Sequence, residues 1–261
     1  GHVTGVQTVC SSDLCGDGGD ARAHRADRHR SGLTVATGAV RPDAALLAGL
    51  RKWADDPGLT LERPTAGFSS ETVIITGRDG LRRVVRLPLL VPSYPHYDLG
   101  VQRAVLDALG TAHIPAPHAL HLEEDTGFVG APFLVMSFVS GRPIADVAAF
   151  DPWIAAGGAE RGRTVEERFL DALGAVHRVD PQLVDAGVGL RTGVAADLKY
   201  WSDYIDWAAD GAPARVLADA LEWCRRTAPG DDTELHSLCW GDARLGNVCF
   251  DRETEIGRAH V

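Results

Sequence analysis

Leu238-Cys-Trp-Gly-Asp-Ala-Arg-Leu-Gly-Asn-Val-Cys-Phe250 sets a polar loop between two short apolar runs, with Asp242 and Asn247 five positions apart and Arg244 between them. The flanking runs read as strands, so the loop joins one strand to the next. Moving a phosphoryl group onto a hydroxyl asks for a carboxylate to accept the hydroxyl proton. It also asks for an amide oxygen that holds magnesium against nucleotide phosphates with a second carboxylate, and a cation that balances charge on the moving group. Asp242, Asn247 and Arg244 are the candidates for those roles, in that order. Asp-x-x-x-x-Asn alone is common in surface turns, so the pattern gains weight only from its surroundings.

With its neighbours, Trp240-Gly-Asp-Ala-Arg-Leu-Gly-Asn247 resembles the catalytic loop of the aminoglycoside/macrolide phosphotransferase family, in a branch similar to the phosphotransferase domains attached to acyl-CoA dehydrogenases. The family usually reads His-Gly-Asp where this chain has Trp240-Gly241-Asp242; the residue two before the base is expected to support the loop and not to move the proton. The resemblance implies an α+β, protein-kinase-like two-lobed fold over about Pro42 to Asp251. It divides the chain into an antiparallel-sheet N-lobe, residues 32–140, that binds nucleotide, and a mainly helical C-lobe, residues 141–254, incomplete and carrying the catalytic loop. The implied activity is an O-phosphotransferase dependent on ATP or GTP and on Mg. Its implied partners are the nucleotide and a small-molecule alcohol.

The pattern along the chain agrees with that order. Leu46, Leu47, Leu50 and Trp53 recur at helical spacing after Arg41-Pro42-Asp43, where Pro suits a helix start. Thr72–Thr76 and Arg83–Leu87 are β-branched runs joined by Gly77-Arg-Asp-Gly80, whose glycines suit a tight hairpin turn. A helix over about Tyr97 to Leu109 is expected to stop at Gly110, followed by strands at Ala116–Leu122 and Pro132–Val139. The second of these is continuously apolar, as in a strand covered on both faces, and Gly141-Arg-Pro143 is expected to end it. From Arg163 the period turns helical, with Val165, Phe169, Leu173 and Val176 on one stripe, and Leu198–Ala209 and Pro213–Arg226 are further candidates. Strands first and helices later fit a sheet-rich lobe followed by a helical one.

On the nucleotide side, Thr65-Ala-Gly-Phe-Ser-Ser-Glu-Thr72 is similar to the family's phosphate-covering loop, with Gly67, Ser69 and Ser70 as candidate contacts; a polar turn reads equally well from this segment alone. The chain has only Lys52 and Lys199, neither on the strand where a kinase carries its phosphate-binding Lys. Arg86 is the candidate in its place, since Arg grips phosphate oxygens bidentately, and Gln102 holds the position of the partnering Glu. A hydrogen bond between Arg86 and Gln102 would be weaker than an ion pair. The resemblance puts adenine against backbone groups of Ser137 to Val139, and it makes His177 a structural residue of the helix core.

Both ends read as nucleotide-derived. Val3–Thr8 and Val9–Leu14 resemble a translated sequencing adapter and Ile256–Val261 its reverse complement. Independently, Val9–Leu14 can be antisense, codon by codon, to Glu255–His260, through GTG-TGC-TCT-TCC-GAT-CTC and its reverse complement. On this reading residues 1–31 are adapter-derived or disordered, residues 255–261 are an adapter-derived tail, and the natural sequence stops at about Glu255. The family's second metal-binding Asp, one hairpin after the loop, would then lie beyond the chain, and Asp251 belongs to the hairpin turn. The expectation is a fragment with an incomplete magnesium site and little or no turnover. A pseudokinase-like module that binds nucleotide without transferring phosphate stays open beside the enzyme reading.

Composition narrows the rest. The 261 residues are 45% hydrophobic, enough for a substantial core, and no run approaches the roughly 18 apolar residues of a membrane helix. A net charge of −10 argues against a nucleic-acid partner, whose phosphates are met by Lys and Arg. Cys224, Cys239 and Cys249 form an odd set without a secretory signal, which points to a reducing, cytoplasmic setting. His236, Cys239 and Cys249 match no standard zinc spacing, and the cysteines beside the loop are better read as small buried apolar side chains.

Overall fold

The structure, a computed structural model, describes residues 2–5, 40–64, 70–184, 186–212, 214–228, 236–250 and 257–259. In chain order these form β1 (His2–Gly5), α1 (Asp43–Ala54), β2 (Thr60–Glu62), β3 (Glu71–Thr76), β4 (Arg82–Leu87), α2 (Leu99–Thr111), β5 (Ala119–Glu123) and β6 (Phe133–Ser137). They continue with β7 (Arg142–Pro143), α3 (Pro152–His177), α4 (Gly193–Ala209), α5 (Arg215–Thr227), β8 (His236–Cys239), β9 (Val248–Phe250) and β10 (Gly257–Ala259). The arrangement is the α+β, protein-kinase-like fold expected from the sequence.

β2 to β6 make one antiparallel sheet in the order β2-β3-β4-β6-β5. Gly80, at φ +72°, supplies the left-handed residue that the β3–β4 turn requires. Alternation along β6 explains its unbroken apolar sequence. Phe133 and Val135 face α1, where they pack with Leu46, Leu50 and Val73. Leu134 and Met136 face the other way, into a core shared with α2 and with Val165, Trp240 and Phe250 of the helical half. Both faces of the sheet are therefore covered, and burial of a side chain of this size is worth about 1.5–3 kcal/mol. The second core runs from sheet to helices without a break, which fixes the loop after Trp240 against the sheet.

Several boundaries differ from the sequence expectation for physical reasons. α2 runs through Gly110 to Thr111 and stops where His113 turns left-handed at φ +55° ahead of Pro115. One glycine near a helix end costs only about 1 kcal/mol, too little to terminate it. Gly141-Arg-Pro143 does not simply end β6, because Arg142–Pro143 become β7, paired with β9. α3 begins at Pro152, eleven residues before the periodicity starts at Arg163. Gly158, at φ +66° and ψ −162°, kinks it and hides the first turns from a periodicity reading, while Asp151 caps the start by accepting from the Trp153 and Ile154 amides. β2 is three residues long, too short for alternation to register.

The stretches read as adapter-derived also pair with the sheet edges. His2–Gly5 lies parallel to β8, and Gly257–Ala259 pairs antiparallel with β9. An open strand edge accepts any extended backbone, because the ladder is made by main-chain groups. Residues 6–31 lie outside the described residues.

One buried ion cluster ties α1 to the sheet. The Glu71 carboxylate, fully buried at the start of β3, accepts from the Arg41 amide at 2.9 Å, from Arg41 Nη1 at 2.5 Å and from Arg63 Nη2 at 3.0 Å. Arg41 also donates from Nε to the Val129 carbonyl and from Nη1 to that of Pro88. Glu71→Ala removes the buried carboxylate that two guanidinium groups share. It is expected to lower unfolding free energy by about 3–5 kcal/mol, the usual effect of breaking a buried pair, measured by urea denaturation.

Candidate active site

The loop between β8 and β9 is shaped from below by packing and from within by side-chain amides. Trp240, 1% exposed, sits 6.2 Å from the Phe169 ring of α3, and Gly241 turns left-handed at φ +78° directly after it. Anchoring by an indole on one side and a glycine turn on the other lifts Asp242 out of the core. Its side chain is 56% exposed, in agreement with a supporting part for Trp240 beneath it. A 3-10 turn over Leu245–Asn247 then brings the chain back, with the Asn247 amide donating to the Arg244 carbonyl at 2.9 Å.

Asn247 is 0% exposed, and its Nδ2 donates to the Asp242 carbonyl at 2.8 Å and to Asp242 Oδ2 at 3.0 Å. Arg244 Nε donates to the same Oδ2 at 3.0 Å. Asp242 Oδ2 is thus held by two donors, while Oδ1 takes no hydrogen bond among the described residues. Asn247 Oδ1 is buried and has no hydrogen-bond partner. A buried, unpartnered amide oxygen is costly, and a hard cation that takes oxygen ligands, such as magnesium, fits it. Among the described residues no group of three His, Cys, Asp or Glu side chains is placed to hold a metal.

Arg244 is gripped from a second side by a residue that the sequence did not mark. Asp146, between β7 and α3, accepts from Arg244 Nη1 at 2.5 Å through Oδ2 and from the Gly246 amide at 3.0 Å through Oδ1. Burial alone would weaken the Arg244 charge, but the hydrogen bonds it donates to Asp242 and Asp146 outweigh it and hold the guanidinium above its usual value. Asp146 lies in a stretch with no periodicity and 98 positions before its partner, so no local signal marks it.

On the sheet side, Arg86 is buried in β4 opposite Thr72, and its Nη1 donates to Gln102 Oε1 at 3.1 Å. The hydrogen bond between these two side chains is therefore present. Ser70 is buried with its Oγ 3.2 Å from that of Thr72, while Gly67 and Ser69 lie outside the described residues. Ser137 is engaged with β5, its amide donating to the His118 carbonyl and its Oγ accepting from the His118 amide, both at 2.9 Å. Val139 is buried against Cys249 of β9, which brings the end of the sheet to the hairpin that carries Asn247.

His177, expected inside the helix core, is exposed at the end of α3. Cys249 is disulfide-bonded instead of a free buried thiol, and burial, with the Asp197 charge second, pushes the Cys239 thiol up. Next to the loop, Tyr94 packs 5.9 Å from Tyr204, which stands among Tyr200, Trp201 and Trp207 of α4. Burial raises the Tyr94 hydroxyl most, followed by Tyr204, Tyr200 and the Asp242 charge.

Solved structures with the same fold include a Ralstonia eutropha JMP134 protein described as an aminoglycoside phosphotransferase, at TM-score 0.57 and 23% identity over 81% of this chain and 62% of that one. Choline kinase from Cryptosporidium parvum Iowa II is similar at TM-score 0.52 and 13% identity, over 84% of this chain and 64% of its own. The chain spans less than two thirds of the length of either. A family model described as phosphotransferase enzyme family matches residues 60–257, which takes in the sheet, Arg86, Gln102 and the whole catalytic loop. On that match, the chain belongs to the phosphotransferase enzyme family.

Proposed function

We propose that this chain is built for ATP- or GTP-dependent transfer of a phosphoryl group to the hydroxyl of a small molecule, with Asp242 as the base. The observation that carries the reading is the clamp on Asp242 Oδ2 by Asn247 Nδ2 and Arg244 Nε, each at 3.0 Å, which fixes the carboxylate and leaves its other oxygen without a hydrogen bond among the described residues. An acceptor hydroxyl placed there gives its proton to Asp242 as its oxygen bonds to the γ-phosphorus. The bond from that phosphorus to the β-phosphate oxygen breaks, and the nucleoside diphosphate leaves. Arg244 supplies positive charge beside the transferring group. Asn247 Oδ1 would hold magnesium, which when bound draws the phosphate charge together.

On the nucleotide side, Arg86 is proposed to meet the phosphates, with Gly67, Ser69 and Ser70 over them and Gln102 orienting the guanidinium. Because the Ser137 amide is engaged with His118, adenine contact falls to the backbone that follows, up to Val139. A cytoplasmic setting, where nucleoside triphosphate is supplied, belongs to the same proposal. No helix among the described residues is long and apolar enough to cross a membrane.

A second reading is favoured by one specific contact. Gln102 gives Arg86 a neutral partner where an ion pair would position the phosphates more firmly, and among the described residues no group of three His, Cys, Asp or Glu side chains is placed to hold a metal. A module that binds nucleotide with little or no transfer is what those two features would produce, and low turnover of this 261-residue chain is the expectation.

Asp242→Asn keeps an oxygen for the loop and removes the base. It is expected to lower phosphate transfer by about 10²–10⁴-fold with nucleotide affinity unchanged, measured with radiolabelled ATP and a panel of small alcohols alongside calorimetric ATP binding. Nucleotide binding with no transfer by the unsubstituted chain would select the binding module. Asn247→Leu fills the same space without an oxygen. It is expected to abolish the extra thermal stabilisation that magnesium adds to ATP; the same magnesium increment in the variant would remove Asn247 from the metal site.

A further inference from the structure

We infer that Asp146 is a positioning residue for the transfer step: it holds Arg244 off the base. The inference rests on the reading of Asp242 as base and Arg244 as phosphate contact. A guanidinium beside a carboxylate closes on it with two parallel hydrogen bonds when nothing else competes. Here the geometry is different. Arg244 gives Asp242 only Nε, at 3.0 Å, and gives Nη1 to Asp146 at 2.5 Å. The guanidinium therefore bridges two carboxylates, caps only Oδ2 of Asp242, and keeps Nη2 free of any partner among the described residues. Oδ1 stays open for a hydroxyl proton and Nη2 for a phosphate oxygen.

The placement of Asp146 is itself fixed. Its Oδ1 accepts from the Gly246 amide at 3.0 Å, so the carboxylate is tied to the loop whose arginine it holds. A Cβ at Gly246 would come within 2.5 Å of that oxygen, which explains a glycine next to Asn247: the loop is closed down onto Asp146. Asp146 comes from the segment that follows β7, and β7 pairs with β9 directly after the loop. A strand pairing, a backbone-to-carboxylate bond and an ion pair thus converge on one side chain. An exposed ion pair contributes little to stability, so the arrangement is better explained by geometry than by stability.

Asp146→Asn removes the charge that competes for Arg244 while leaving an oxygen for the Gly246 amide, and Asp146→Ala removes both. The test combines proton–nitrogen spectra of the arginine Nε–H groups, with the Arg244 signal assigned by its loss in Arg244→Lys, and steady-state kinetics of the 261-residue chain with MgATP. In Asp146→Asn the Arg244 Nε–H signal is expected to move and kcat to fall by about 10²-fold, the scale of a misplaced catalytic group, with KM for ATP within about twofold. Melting temperature should change little, and Asp146→Ala should fall further in kcat. An unmoved signal, or a moved signal with kcat intact, overturns the inference. If the unsubstituted chain transfers no phosphate, the phosphotransferase reading fails separately, and an unmoved signal still overturns the hold of Asp146 on Arg244 while a moved one supports it.

Discussion

Two hydrogen bonds from one buried carboxamide close the loop proposed to carry the chemistry. Asn247 Nδ2 reaches back five positions to the carbonyl and the carboxylate of Asp242, so the loop's two ends are joined through a side chain instead of a backbone ladder. The joint places its own oxygen inward, without a protein partner, and lifts the carboxylate outward. A loop held by Asn alone would be soft. Trp240 below it and Asp146 beside it remove that softness, one by filling the core and the other by tethering the loop amide. The groups proposed to act on a phosphoryl group therefore owe their places to contacts that never meet it.

The sheet contributes by being closed on both sides. Because β6 sends alternate residues to α1 and to the helical half, the strand that leads out of the sheet cannot tilt without opening one of two cores. Val139 against Cys249 extends that constraint to the hairpin after the loop. Arg86, buried in the middle of the same sheet and joined to Gln102 of α2, moves with this block and not independently of it. The nucleotide-side cation and the loop are thus two parts of one packed unit.

Much of this was legible in the sequence, and the exceptions share a cause. The β3–β4 hairpin, β6 and the stripe Val165, Phe169, Leu173 and Val176 follow local rules of periodicity and turn chemistry, and each stands where those rules put it. Asp242, Arg244 and Asn247 lie within six residues, so their meeting needs only a short loop. Arg86 and Gln102 are farther apart, and alignment to a family pattern was needed to pair them. What stayed hidden depends on distant partners or on broken periods. Asp146 finds Arg244 across 98 positions, Gly158 interrupts α3 ahead of Arg163, where the periodicity begins, and Arg142–Pro143 become a strand only because β9 is there to pair with. Exposed His177 is the opposite case: a helical position that looked inward faces water because α3 ends there.

The indole beneath the loop has an optical consequence. Of the six tryptophans, Trp201, Trp207 and Trp223 are well exposed on α4 and α5, whereas Trp240 is sealed in the core two residues before Asp242. A sealed indole sees an apolar, rigid surrounding, so it emits at shorter wavelength and escapes collisional quenchers dissolved in the buffer. The loop thus has its own lamp beneath it. Any rearrangement that loosens the loop from its floor would be written in the blue edge of its fluorescence, with no label attached.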